Sequence, residues 1–213
     1  MTKQDLVIIG AGGMGREAAA WVADALPDPR LLGFLDADTG LHGTIVADLP
    51  VLGYLDWLEE HPGVGVVLGL GVPATRAKIV AHLDAVGVPL VTIVHPTATL
   101  GPRTVVEEGA IVCPGALLTC DVRVGRTVIV NYRAIVGHDG DLGDGCFVAP
   151  GAHLAGNVAI GAQADIGIGA SIIQGVTVGE RSIVGAGAVV IGDVESDTTV
   201  VGVPARPLPR RRS

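Results

Sequence analysis

The chain has 213 residues, enough for one large domain or two small ones with a sizeable buried core. Its 32 glycines and 3% aromatic residues exclude a core keyed on Trp, Tyr and Phe, and a formal charge of -8 argues against a nucleic-acid or anionic-membrane partner. Mean hydropathy is high at +0.54, yet no run of about 20 apolar residues is continuous and no basic-then-apolar leader opens the chain, so a soluble cytoplasmic protein with no membrane partner is expected.

Residues 6–10, LVIIG, form an apolar run that enters the glycine turn AGGMG, and a helical pattern follows over 16–26. A strand, a glycine turn and a helix in that order aim helix N-terminal amides at an anion, and the missing Cβ atoms let it come close. An acid that reads a ribose is expected about 20 residues further on. Asp36, at the end of RLLGFLD, sits there, with Asp38 beside it. A short helix over 54–60, a strand over 64–70, a helix opened by Pro73 in its first turn and a strand over 90–94 continue the alternation. These units are too few for a full dinucleotide fold. Residues 1–90 therefore read as an α/β half-Rossmann-like domain, a small parallel sheet with flanking helices, followed by a linker over 91–99. Taken alone, the glycine loop fits a structural tight turn as well as a ligand site.

From Leu100 a different period takes over. Stepping by six from Leu100 to Val190, every residue is Leu, Ile or Val, and four residues after each, from Thr104 to Val194, every residue is small. A period of six is neither helical nor a plain alternation, so the chain must turn a corner at each repeat. Two inward positions flank one outward residue, as in a short strand. Three such strands close a triangular coil of about 18 residues, and stacking at roughly 4.8 Å per coil gives a prism about 25 Å tall. The prism is expected over 100–195, with a cap and tail over 196–213.

Sorted by face, the outward residues differ. Val105, Arg123, Asp141, Ala159, Thr177 and Glu195 make a first face that suits water. The second, Ile111, Ile129, Phe147, Asp165 and Ile183, and the third, Leu117, Ile135, His153, Ser171 and Val189, are largely apolar. An apolar patch of that size on a prism already full inside marks an interface, so a homotrimer of parallel prisms is expected. Cys113, Cys120 and Cys146 show neither a CxxC pair nor metal-ligand spacing and read as reduced thiols.

The hexads resemble those of the left-handed parallel β-helix acyltransferases, and the left hand is implied by that resemblance alone. The order of glycine loop, GFLDAD, the linker IVHP, coils and the closing VVGVPARPL resembles, over nearly the whole chain, bacterial sugar acetyltransferases of the sialic acid O-acetyltransferase and bacillosamine or perosamine N-acetyltransferase group. The resemblance implies that Gly10, Gly12, Gly13 and Met14 line the sugar or phosphate of a nucleotide-linked amino sugar, and Asp36 its base or ribose. Met14 departs from the pattern, where His is common.

Acetyl transfer from acetyl-CoA needs a base, an oxyanion donor and a slot for the pantetheine arm. His138 lies two residues after Val136, at the corner between the third and first faces, and an imidazole titrates near neutral pH. Asp139 follows it and could fix its tautomer; the stretch NYRAIVGHD resembles the family's base segment. One coil along the same corner is Gly156, whose amide is a candidate oxyanion donor, unless the glycine serves only a positive φ at the corner. Asn131 falls at a different corner and reads as structural. Phe147 stands where relatives carry a second His; His153, outward on the third face, could partly compensate or serve instead as an interface residue. Arg206 matches a basic place in the closing motif and, with Arg210, Arg211 and Arg212, could meet the phosphates of coenzyme A, although the final three arginines read more readily as a solvated, disordered end. His42, His61, His82 and His95 have no partners at ligand spacing, and no metal is expected.

The function expected is acetyl-CoA-dependent N-acetylation of a nucleotide-linked amino sugar. Sugar O-acetylation of the sialic acid type and a β-helix scaffold without turnover are the alternatives. A metal-dependent hydratase would need three imidazoles around an ion, where the prism offers only His138 and His153.

Overall fold

The structure, a computed structural model, describes residues 4–209, and the chain divides into two compact units, Met1–Ile93 and Val94–Ser213. The first unit runs β1 (Gln4–Ile9), α1 (Gly13–Ala25), β2 (Pro29–Leu35), β3 (Ile45–Val46), β4 (Leu49–Gly53), α2 (Trp57–Glu60), β5 (Gly65–Leu68) and α3 (Pro73–Val86). The strands lie in the order β3-β4-β2-β1-β5, with β1 parallel to both β2 and β5. Leu6, Val7, Ile8 and Ile9 are at most 1% exposed. A central parallel strand is covered on both faces, which is why its sequence is continuously apolar rather than alternating.

The elements of this unit depart from the sequence expectations at their ends. Helix α1 begins three residues before the apolar pattern does, because Gly12 serves as N-cap and its carbonyl accepts from Arg16 N–H. It buries Gly15, Ala18 and Val22, a narrow stripe at helical spacing whose small side chains let the helix approach the sheet closely. Helix α2 is shorter than expected: Trp57 N–H bonds back to Tyr54 C=O, a tighter turn that occupies 54–56 before the α-helix starts. Helix α3 does open on Pro73, and Gly87 ends it in the left-handed conformation, with Val88 N–H reaching Leu83 C=O. Of the strand expected over 90–94, Leu90 forms a single parallel bridge to Val66 in this sheet.

The second unit is a parallel β-helix of two-residue rungs. One stack passes through Thr99, Leu117, Ile135, His153, Ser171 and Val189, another through Val105, Arg123, Asp141, Ala159 and Thr177, and the third through Ile111, Ile129, Phe147, Asp165, Ile183 and Thr199. Inside, the aliphatic and small positions of the hexads form one continuous core, from Ala110 to Val200, almost wholly shielded from water. Each buried Val or Leu there contributes roughly 1.5–3 kcal/mol. At the corners from Arg103 to Gly187 the residue three after each aliphatic is left-handed, as at Asp121, Asp139 and Asn157.

The last coil is shorter than the period implies. Rungs below it pair at a separation of 18, as Arg123 with Asp141. Near the end, Thr177 N–H bonds the Asp193 side chain and Arg181 bonds Asp197, both at a separation of 16. Asp193, not Glu195, therefore follows Thr177 on the first face. Ser182, fully buried, accommodates the shortening: its hydroxyl donates to Glu195 C=O at 2.6 Å and accepts from Thr198 N–H.

The three faces differ as the sequence implies, with one correction. The first carries ion pairs, Arg123 reaching Glu107 and Asp141 and Arg126 reaching Glu108. On the second, Ile111 and Ile129 are already 0% and 1% exposed in the single chain, so that half of the face is not an open apolar surface. Phe147 is half-buried and Ile183 is 46% exposed.

Candidate active site

In the first unit, Gly10, Gly69 and Asp36 follow the last residues of β1, β5 and β2, and parallel pairing brings those ends to one edge of the sheet. Because β2 lies on one side of β1 and β5 on the other, the chain's winding reverses between β1 and β5, the place where open α/β sheets leave a crevice for ligands. Gly10 is left-handed at φ 100° and its N–H bonds Leu35 C=O. Gly12 and Gly13 are exposed, and Met14 is half-buried in the first turn of α1. Asp36 holds this loop: one carboxylate oxygen accepts from Ala11 N–H at 2.7 Å and the other from Asp38 N–H at 2.9 Å. His42 Nε2 donates to Asp36 C=O at 2.7 Å. Each carboxylate oxygen keeps a further lone pair for a ligand hydroxyl.

Two residues near this edge of the sheet were not singled out from the sequence. Gly15 is buried, and a Cβ on it would fall 1.8 Å from Gly10 O; Gly69 packs against Gly15 in turn. The spacing Gly10-x-Gly12-x-x-Gly15 was the available signal, since the third glycine of such a loop serves close helix-to-strand packing. Arg76 is the other. It is fully buried, and nothing in its sequence context marked it.

In the second unit the structure brings His138, Asp139 and Gly156 together. His138 Nδ1 lies 2.8 Å from Asp139 Oδ2. Adjacent side chains ordinarily diverge, but the left-handed backbone of Asp139, φ 55°, swings its carboxylate back onto the ring. Bonded to a carboxylate, Nδ1 carries the proton, which leaves Nε2 as the acceptor. That edge of the ring lies over Gly156: a Cβ there would meet Nε2 at 2.3 Å and Cε1 at 2.4 Å. Gly156 does not have a positive φ; the left-handed residue is its neighbour Asn157, φ 57°. The glycine therefore serves the imidazole, not the corner. Its N–H makes no hydrogen bond among the described residues, and the His138 side chain is 50% exposed.

The corner column continues beyond Gly156 through Gln174 to Gly192, three rungs and roughly 14 Å from His138 at the usual strand spacing. Gly192 lines a cavity of about 560 Å³ with Asp193, Glu195 and Arg206. Arg206 is exposed and its Nη1 donates to Ala205 C=O. Arg210, Arg211 and Arg212 lie outside the described residues. His153 is exposed on the flat third face between Ile135 and Ser171. Asn131 is buried and accepts from Tyr132 N–H. His95 Nδ1 accepts from Thr97 N–H and faces its hydroxyl, and His61 stacks on Trp57. No disulfide joins Cys113, Cys120 and Cys146. Among the described residues no three His, Cys, Asp or Glu are grouped to hold a metal ion, and no helix is long and apolar enough to cross a membrane.

Residues 5–83 match the PglD N-terminal domain family. The whole chain is similar to perosamine N-acetyltransferase from Caulobacter crescentus, solved with CoA and GDP-perosamine, at 32% identity over 98% of each chain and a TM-score of 0.90. It is similar as well to the acetyltransferase domain of PglB from Neisseria gonorrhoeae, solved with acetyl coenzyme A, at 35% identity over 97% of this chain and 100% of that one, TM-score 0.90. WeeI from Acinetobacter baumannii matches at 32% identity over 97% and 100%, TM-score 0.88. No curated protein matches the sequence. Identity and coverage of this extent fix the hand of the helix as left. The chain belongs to the left-handed β-helix sugar acetyltransferases of the perosamine and bacillosamine N-acetyltransferase group.

Proposed function

We propose that this protein transfers an acetyl group from acetyl-CoA to the amino group of a nucleotide-linked amino sugar. The observation that carries the proposal is the His138 ring, oriented by Asp139 and seated over the bare Gly156. The amine attacks the thioester carbonyl carbon, and His138 Nε2 takes the proton the nitrogen sheds as the C–N bond forms. Negative charge gathers on the carbonyl oxygen, where the Gly156 N–H is the donor. Collapse breaks the C–S bond; the sulfur leaves with a proton from His138, giving the amide and free CoA. No covalent enzyme intermediate is needed.

The nucleotide part of the acceptor is assigned to the loop of Gly10, Gly12, Gly13 and Met14 with Asp36. The coenzyme arm is assigned to the corner column from His138 to Gly192, with Arg206 near its phosphates and His153 on the acetyl side. We also propose a homotrimer in the cytoplasm, supported by the apolar residues Leu117 and Ile135 on the third face. The test is release of free thiol from acetyl-CoA on adding GDP-perosamine or a uridine-diphosphate-linked amino sugar. His138→Ala is expected to lower kcat about 10²- to 10⁴-fold with an unchanged melting temperature. Turnover with a free sugar hydroxyl but none with a nucleotide-linked amine would replace the proposal with O-acetylation.

A further inference from the structure

The corner that carries His138 is laddered from rung to rung. Asp121 N–H donates to Pro102 C=O at 3.0 Å, Asp139 N–H to Cys120 C=O at 3.1 Å, and Asn157 N–H to His138 C=O at 2.7 Å. Arg103, Asp121, Asp139 and Asn157 therefore stand one above another, and all four are left-handed, with φ between 55° and 60°. Like backbone angles launch like Cα–Cβ directions, so these side chains form a column at roughly 4.8 Å per rung. In that column one arginine stands below two carboxylates.

Arg103 takes the nearer one. Its Nε and Nη2 donate to the two oxygens of Asp121, the second at 2.6 Å, the fork-to-fork pairing that a guanidinium favours. Burial does not impose this choice, because the Arg103 side chain is 68% exposed. Asp139, the next carboxylate up, is exposed as well, and among the described residues its side chain is engaged only through Oδ2, by His138. Two rungs span roughly 9.6 Å, within the combined length of an extended arginine and an aspartate. Asp121 pushes the Arg103 guanidinium further up from its usual range, and Cys120 and Asp139 add to that. The Cys120 thiol, pushed up by burial and by its hydrogen bond to Asp121, stays protonated and competes for neither charge. A guanidinium would offer Asp139 two parallel charge-assisted bonds where the imidazole offers one. The same fork joins Arg181 to Asp197 at the far end of the prism, where no dyad stands on the next rung and the pair serves the corner alone.

We propose that Asp121 is a positioning residue for the catalytic dyad: by occupying the Arg103 fork it keeps that guanidinium off Asp139, so that the Asp139 carboxylate stays on His138 Nδ1. This rests on the acetyltransferase reading above. Asn157 and Gln163 already occupy left-handed corners, each at φ 57°, so Asn at position 121 and Gln at position 103 fit the backbone. The test is a double-mutant cycle in steady-state turnover of acetyl-CoA with GDP-perosamine or a uridine-diphosphate-linked amino sugar, run well below the melting temperatures. Asp121→Asn frees Arg103 and should lower kcat about tenfold, with KM for acetyl-CoA within about twofold. Adding Arg103→Gln removes the competing cation and should return kcat to within about threefold of the wild type, although the ion pair is still missing. A purely structural pair predicts the opposite, a double variant no faster than the single one, and that result overturns the inference. Full kcat in Asp121→Asn overturns it too, and both outcomes leave the acetyltransferase reading intact. A wild-type protein that turns over neither acceptor overturns both.

Discussion

At Gly156 the structure leaves no room for even one added carbon. The Cβ of Gly156→Ala would lie within van der Waals overlap of the imidazole, so His138 must rotate away and break its bond to Asp139. The φ at this position is open to alanine, so stability should change little while kcat falls at least about 10²-fold, a split that thermal melts and steady-state rates will reveal. Asp139→Asn is the complementary change. Asn tolerates the left-handed backbone at φ 55°, which isolates the loss of the carboxylate, and kcat should drop about 10- to 100-fold, with acetyl-CoA KM unaltered. One rung below, Arg103 hydrogen-bonds Asp121 and holds its carboxyl below the usual range. A depressed carboxyl stabilises the fold above its unfolded value and loses that contribution as pH falls through the folded one. Asp121→Asn should therefore melt lower than the wild type at pH 7, with the gap narrowing as pH falls below the ordinary carboxylate range.

At the scale of elements, the rungs of the prism depend on a fixed alternation of aliphatic and small side chains. Ala134 is 0% exposed inside the coil, and the neighbouring aliphatics leave no volume for a larger group. Ala134→Leu should cost about 1–3 kcal/mol by overpacking, read as a lower denaturant midpoint at constant slope. The period was legible along the whole stack because each coil meets the same interior as the one below. It failed at the end, where a separation of 16 replaces 18. The buried Ser182 supplies the bonds that make the shorter coil tolerable, and a serine at a small position carries no such message in a sequence. In the first unit, helix α1 and strand β5 have ends fixed by Gly15 and Gly69 packing on each other, a contact between segments far apart in the chain.

For the whole molecule, the proposed trimer makes the most direct prediction. Light scattering should report about three times the 21.5 kDa chain mass, and Ile135→Asp on the third face should shift it toward monomer while far-ultraviolet circular dichroism stays unchanged. A wild-type monomer would leave that face without its proposed cover. Burial of Ile111 and Ile129 within the single chain removes part of the second face from this argument, which a residue list sorted by face could not foresee.

The sequence by itself determined the prism, its polar first face, the strand, glycine turn and helix of the first unit, and the corner shared by His138 and Gly156. These follow from local periods, and a period repeats whatever the rest of the chain does. The tertiary structure alone decided that Gly156 accommodates an imidazole rather than a turn, that Asp139 curls back onto its neighbour, and that Asp36 ties down the glycine loop. It alone placed the buried Arg76 behind Leu70 and Gly71. Each of these depends on distances between atoms of different segments or on a single backbone angle, and neither leaves a periodic trace in the order of residues.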